Sequence, residues 1–184
     1  MNYQKLVKEQ LSEKRYQHSI RVAETAVALA KAHKCNETQA EIAGLMHDFC
    51  KEYSKEKLVQ LAVENSLLTS RDDLLMPQIL HGPVASYILK REAIIEDEDI
   101  LQAIRYHTTG HPDMDDLAKI IFIADYIEPG RKTPHISGLF ETASIDLDRC
   151  VVEIIDRTIR YLLEKHSIIH EDMMKLRNRI LIKE

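Results

Sequence analysis

Four histidines and two aspartates carry the chemistry this sequence can do: His18, the adjacent pair His47-Asp48, His81, His107 and Asp125. Met46-His47-Asp48 lies in a stretch (Ile42, Ala43, Leu45, Met46, Phe49) whose pattern calls for core. Burying an imidazole and a carboxylate side by side there costs several kcal/mol unless a partner, usually a metal, compensates. Asp125 interrupts the run Ile120-Ile121-Phe122-Ile123-Ala124, a place where a free carboxylate has no structural reason to be. His81 precedes Gly82-Pro83, where a turn residue would serve. His107 precedes Thr108-Thr109-Gly110 at a helix end, where a cationic imidazole would suit the dipole. His18 by itself reads as a surface histidine, as do His33, His111 and His166. One shared cause accounts for the six placements better than six separate causes.

Imidazole and carboxylate ligands without thiolate argue against a structural zinc cluster. They suit a catalytic site for iron, manganese, cobalt or zinc. Six ligands exceed what a single ion with an open position takes, so two ions roughly 3.5–4 Å apart, bridged by Asp48, is the economical arrangement. Such a pair lowers the pKa of a shared water and clamps a phosphoryl oxygen, which points to hydrolysis of a phosphoester or phosphoanhydride. Successive helical residues point about 100° apart, so His47 and Asp48 share a site only at the edge of an apolar face, where Ala43 and Gly44 leave room for an ion. Cations stand nearby. Arg15 lies one turn before His18, Lys51 four residues after His47, and Arg131 follows Pro129-Gly130, so that a turn projects it back over the helix bearing Asp125. Any one of them would by default be a solvated surface charge. Proximity to the ligand string singles out Arg131, then Lys51 and Arg15, while Thr108 and Gly110 are expected in the pocket wall.

Helices must position these residues. Strand-like alternation is scarce and helical spacing recurs throughout. The pattern predicts helices over Tyr3–Leu11 and over about Lys14–Lys34. A third begins after Asn36 and carries His47 and Asp48; a fourth has Ser54 as its N-cap. After a less regular stretch, Ser66–Leu80, a fifth opens at His81-Gly82-Pro83. Further helices are expected over Asp97–His107 and Asp115–Ile127. A loop, Arg131–Ser144, leads to a long helix ending near Lys165, and a last helix covers Asp172–Lys183. The fold class that follows is all-α, a single helical domain over residues 1–184 with about eight to nine helices.

The 184 residues suffice for one core without staples. At 45% apolar and 30% charged residues, with formal net charge −5, nothing global suggests a nucleic-acid or membrane surface. An anionic substrate would have to be drawn in by local positive charge or by metal. Three cysteines without CxxC spacing, and a polar start with no apolar leader, point to the cytoplasm. A homodimer would suit a small helical domain with exposed apolar faces.

The ordered blocks Arg15-Tyr-Gln-His18-Ser-Ile-Arg21-Val, Leu45-Met-His47-Asp48-Phe-Cys-Lys51, His81-Gly82-Pro83, His107-Thr-Thr-Gly110 and Ala124-Asp125-Tyr-Ile-Glu-Pro-Gly-Arg131 resemble the HD-domain superfamily of metal-dependent phosphohydrolases. Within it they are similar to the bacterial YqeK-type symmetrical bis(5′-nucleosyl)-tetraphosphatases, over nearly the whole chain. The resemblance implies an HD-like helical bundle that splits diadenosine tetraphosphate into two ADP. It implies one iron-type ion on His18, His47, Asp48 and Asp125, and a second on Asp48, His81 and His107. Asp48, Lys51 and Arg131 would act in catalysis. The nucleotide, a dinucleoside polyphosphate or an ADP- or GDP-like molecule, would meet Arg15, His18, Lys51, His81, Gly82, His107, Thr108, Asp125 and Arg131. His170 and Arg177 are further candidates, although this chain departs from the family's His-Pro-x-Thr-like turn: Glu171-Asp172-Met173-Met174 follow His170, and Arg177-Asn178 are kept. The Arg131–Phe140 loop, with Lys132, Thr133, His135 and Ser137, is a candidate cover for the nucleotide. Two competing functions are an HD hydrolase for another nucleotide (a cyclic dinucleotide or a nucleoside mono- or triphosphate) and a nucleotide-binding sensor without catalysis. An eroded ligand string would mark the sensor, and here all six positions are intact.

Overall fold

Short polar side chains set where the helices begin, by accepting the free amides of a first turn. In the computed structural model, which describes residues 2–131 and 138–182, Asn2 starts α1 (Tyr3–Gln10) and Ser12 precedes α2 (Glu13–His33). Asn36 caps α3 (Glu37–Met46) and Ser54 caps α4 (Lys55–Glu64). Two 3₁₀ segments, Arg71–Leu75 and Pro77–Leu80, lead directly into α5 (His81–Arg91). Asp97 caps α6 (Glu98–Tyr106), Asp115 caps α7 (Asp116–Ile127) and Asp146 caps α9 (Leu147–Glu164). Gly138 precedes α8 (Leu139–Ile145), and α10 (Glu171–Ile182) closes the described chain.

The described elements are all helical, as expected, but there are ten α-helices rather than eight or nine. The addition is α8, inside the stretch read from sequence as loop 131–144. Its seven residues are too few to display a helical repeat, and Gly138 enters it in the left-handed region (φ 90°) with no capping side chain. Residues 132–137 of that loop, with Lys132, Thr133, His135 and Ser137, lie outside the described residues.

The centre of the bundle is α7, buried from Leu117 to Ala124 apart from Lys119 and packed against α2, α3, α6, α8 and α9. A helix apolar nearly all round is a core helix, and each fully buried Ile or Leu contributes about 1.5–3 kcal/mol. Asp125 therefore sits where the core ends. The crossing of α2 on α3 is close. A Cβ on Gly44 would lie 2.7 Å from Ala23 Cα, so Gly44 makes room for the backbone of α2 and not for an ion, contrary to the sequence reading. At the far end, His170 Nε2 lies 2.8 Å from Asp73 Oδ1, tying the start of α10 to the first 3₁₀ segment. Asp73 Oδ2 also accepts the amides of Thr69 and Ser70, at 2.7 and 3.1 Å.

Candidate metal centre

His18 lies on the buried face of α2, in line with Val22, Ala26 and Leu29, not on an exposed face. The third helix stops one residue before His47. His47 and Asp48 occupy tight turns held by Phe49 N–H to Met46 O (3.1 Å) and Lys51 N–H to Asp48 O (2.8 Å). This corrects the expectation that the helix carries both residues. It also answers the geometric difficulty of two adjacent ligands diverging along a regular helix.

Three of the four histidines are tethered alike. Nδ1 of His47 lies 2.7 Å from Gly44 O, that of His81 2.7 Å from Gln78 O, and that of His107 2.8 Å from Ile104 O, each three residues earlier at a helix boundary. A carbonyl only accepts, so each Nδ1 carries the proton and each Nε2 turns a lone pair inward. His18 does the same through a carboxylate, its Nδ1 3.1 Å from Glu128 Oε1.

These lone pairs converge on Asp48, which is 2% exposed. The two carboxylate oxygens face different partners. Oδ2 lies 3.7 Å from His18 Nε2 and 3.5 Å from His47 Nε2; Oδ1 lies 3.1 Å from His81 Nε2 and 3.7 Å from His107 Nε2. Asp125 Oδ1 stands beside the first group, 3.0 Å from His18 Nε2 and 3.8 Å from His47 Nε2. Two sets, His18–His47–Asp125 and His47–Asp48–His107, bring one ligand atom each within 4.8 Å of one another.

The donor chemistry asks for cations. Nε2 of His81 and of His107 are 2.9 Å apart with both Nδ1 atoms already donating, so two lone pairs face each other unless positive charge lies against them. Nε2 of His18 and of His47 are buried without a hydrogen-bond partner. Burial disfavours ionised Asp48, yet the surrounding imidazoles of His47, His107 and His81 hold its carboxyl well below the usual range. Burial pushes His107 down to about 4, leaving it neutral at pH 7 with its ligand atom free. Burial also pulls His47 down, but Asp48 outweighs it and raises the imidazole's pKa. Asp125 is depressed too, against its burial, by the neighbouring His18 and His47 imidazoles and by Arg131. Imidazole and carboxylate at these spacings fit divalent metal.

Cations rim the centre. Arg15 donates to Asp48 Oδ2 at 3.0 Å, and Lys51 Nζ lies 3.6 Å from Asp48 Oδ1 and 3.1 Å from His81 Nε2. Arg131 closes back on Asp125, donating from Nε to its backbone oxygen at 2.9 Å and from Nη2 to Oδ1. Thr108 Oγ1 is 3.0 Å from His107 Nε2 and 3.3 Å from His81 Nε2. Gly110, expected in the pocket wall, is buried at φ 69°, and a Cβ there would meet Leu176 at 2.6 Å. At Gly82 a Cβ would lie 2.9 Å from Arg105 O, 3.0 Å from Ile104 O and 3.4 Å from His107 Cε1, so the glycine lets α5 approach α6 beside His107. His170 has both ring nitrogens engaged, Nε2 with Asp73 and Nδ1 accepting from the Asp172 amide, and Arg177 is paired with Asp156 at 2.5 Å. Both have partners within the protein. Of the histidines assigned to the surface, His33 has Nε2 2.6 Å from Ala143 O and joins α2 to α8, His111 stacks on Tyr106 at 4.4 Å, and His166 is exposed.

Glu128 was missed from sequence. It is 2% exposed and takes His18 Nδ1, Arg21 Nε (2.5 Å) and the Gly130 amide (2.6 Å) on one carboxylate. Burial opposes its ionisation; Arg21, the Gly130 amide and His18 prevail and lower its pKa. Its sequence signal was an acidic residue directly after Ile127 and before Pro129-Gly130, easily taken for a polar helix end. Glu128→Gln is expected to leave the fold intact and weaken metal retention about tenfold, as loss of an outer carboxylate partner does. Metal remaining after dialysis against graded chelator checks this, and undiminished retention would refute it.

An HD domain family profile matches residues 15–130, the span holding every candidate ligand from His18 to Asp125. The chain is 44% identical, over 92% of its length and 90% of the relative's, to a Staphylococcus aureus protein named symmetrical bis(5′-nucleosyl)-tetraphosphatase. A Halalkalibacterium halodurans protein of the same name is 41% identical over 97% of this chain and 95% of its own. Among solved structures, one from Clostridium acetobutylicum, described as a predicted HD superfamily hydrolase involved in NAD metabolism, is 36% identical. It superposes with a TM-score of 0.95, covering 99% of this chain and 96% of that one.

Proposed function

The chain belongs to the HD-domain family, and on that footing we propose that it is a metal-dependent phosphoanhydride hydrolase that cleaves diadenosine tetraphosphate symmetrically, one water entering and two ADP leaving. The observation that carries this is the division of Asp48, with one oxygen toward His18 and His47 and the other toward His81 and His107. His18, His47, Asp48 and Asp125 would hold one ion, and Asp48, His81 and His107 the other. Iron is the ion we infer; manganese, cobalt and zinc suit the same donors. Two such ions supply an acidified water and neutralise phosphoryl oxygens.

The remaining work falls to the chain's own residues. The four tethered imidazoles are fixed in one tautomer before substrate arrives, so no reorganisation is needed as charge develops. Arg15 and Lys51, about a third exposed at the rim, present N–H groups to the polyphosphate. Cleavage between the two inner phosphorus atoms expels ADP, whose phosphate pKa of about 6 makes a strong general acid unnecessary. Neutralising the spreading charge matters more. The same reading takes residues 1–184 as one domain, places the reaction in the cytoplasm, and keeps nucleic acid and membrane out of its partners. No helix among the described residues is long and apolar enough to cross a membrane.

A panel of nucleotides incubated with the purified protein tests the reaction. Release of ADP from diadenosine tetraphosphate is expected; no ADP beside rapid turnover of another nucleotide would reject it. Arg131→Ala is expected to raise KM for the dinucleotide about tenfold, the loss of one charge-assisted contact. Its metal content, assayed in excess metal, should stay unchanged. A KM equal to that of the unaltered protein would show that Arg131 serves Asp125 alone.

A further inference from the structure

Arg15, Lys51 and Arg131 each face a candidate ligand, Asp48 or Asp125. Arg21 is turned elsewhere. It stands one turn after His18 on α2, and its guanidinium runs along the Glu128 carboxylate, with Nε 2.5 Å from Oε2 and Nη2 3.4 Å from Oε1. On that carboxylate two parts of the site meet. Oε1 takes the Nδ1 proton of His18, and Oε2 takes the Gly130 amide at 2.6 Å. The backbone oxygen of Glu128 then accepts the Arg131 amide at 3.0 Å and closes the turn. From there Arg131 reaches back to Asp125 O, 2.9 Å from its Nε.

Arg21 also covers the face of this turn. A Cβ on Gly130 would lie 2.5 Å from Arg21 Nε and 2.6 Å from its Cζ, so the missing side chain is what lets the guanidinium lie against the backbone there. A carboxylate as buried as that of Glu128 needs a counter-charge. A lysine could supply the charge. It could not supply two N–H groups along one carboxylate together with a flat face against Gly130. The arginine therefore does more than neutralise: it fixes the carboxylate and the turn relative to α2.

We propose that Arg21 is a positioning residue for substrate binding: through Glu128 and the bare face of Gly130 it sets the Pro129-Gly130 turn and so aims Arg131 at the phosphates. The proposal rests on the hydrolase reading, in which Arg131 meets the nucleotide, and adds a residue that acts on the nucleotide through Arg131 alone.

Calorimetric titration of the metal-loaded protein with ADP tests it in Arg21→Ala, Arg131→Ala and the double variant. Each single change should weaken ADP binding about tenfold, the loss of one charge-assisted contact. The double variant should also lose about tenfold, because both changes remove the same contact; independent effects would multiply to about a hundredfold. Arg21→Lys should recover little, since the charge returns without the fork. Gly130→Ala guards against a folding artefact. Its Cβ meets the end of a flexible side chain and not backbone, so the fold should hold while ADP binding falls as in Arg21→Ala. Metal content in excess metal should match the parent throughout. A hundredfold loss in the double variant, full recovery in Arg21→Lys, or undiminished binding in Gly130→Ala would overturn the assignment. So would undiminished binding in Arg131→Ala, which would leave no contact to aim. Binding is read apart from turnover, so a protein that releases no ADP from the dinucleotide would defeat the proposed reaction and leave these variants to decide the role of Arg21.

Discussion

Asp48→Ala is expected to lose both ions together and to reduce turnover of diadenosine tetraphosphate about a thousandfold or more, at the upper end of what removing one preorganised charged group does. The size of the effect follows from geometry. Each of the four histidines stands beside only one oxygen of Asp48, whereas Asp48 faces both groups, at 3.5 and 3.7 Å on one oxygen and 3.1 and 3.7 Å on the other. His18→Ala should by contrast impair the half-site shared with Asp125 more than the half-site of His81 and His107. The fold should survive in Asp48→Ala. The imidazoles remain tethered through Nδ1 to carbonyls that the substitution does not touch, and removing a buried carboxylate also removes its desolvation cost. Metal analysis, ADP release and circular dichroism on one preparation check the three statements. Retained turnover, or loss of only one ion, would contradict the bridging role.

The second large effect is on stability. Gly44→Val is expected to cost about 3 kcal/mol or more, because its Cβ would lie 2.7 Å from Ala23 Cα, 3.0 Å from Ala23 N and 3.3 Å from Ala23 Cβ. Two of the three are backbone atoms that cannot swing aside. Gly44→Ala brings the same first contact, offset by about 1 kcal/mol of better helix propensity; the clash should still win, leaving a smaller net loss. The strain falls on the crossing of the helix that carries His18 with the one whose Gly44 carbonyl orients His47, so metal retention should fall as well. Urea unfolding of both variants measures the first effect. An alanine variant more stable than the parent would show that α2 and α3 have slack.

The cluster of candidate ligands was legible because ionisable residues stand out in an apolar helical pattern, Asp125 within Ile120–Ile127 most clearly. The helix starts were legible at Asn36, Ser54, Asp97 and Asp115, where the cap is a local interaction. The end of α3 was not. The apolar run continues through Phe49 without Gly or Pro, and what ends the helix is His47 bonding back to Gly44 while the chain tightens into i→i+3 turns. Glu128 was invisible for a different reason: its partners His18 and Arg21 are more than a hundred residues away, and no local pattern encodes that meeting. His18 shows the converse. Counting from Val22, Ala26 and Leu29 already places it on the buried face, and only the habit of reading a lone histidine as a surface residue obscured it.

Elemental analysis of the protein purified without oxygen tests the centre most directly. About two equivalents of transition metal per chain are predicted, with iron foremost, on Asp48 and the five side chains gathered with it. A chain that carries no more than one equivalent, even after exposure to excess ferrous iron, would contradict a dinuclear site.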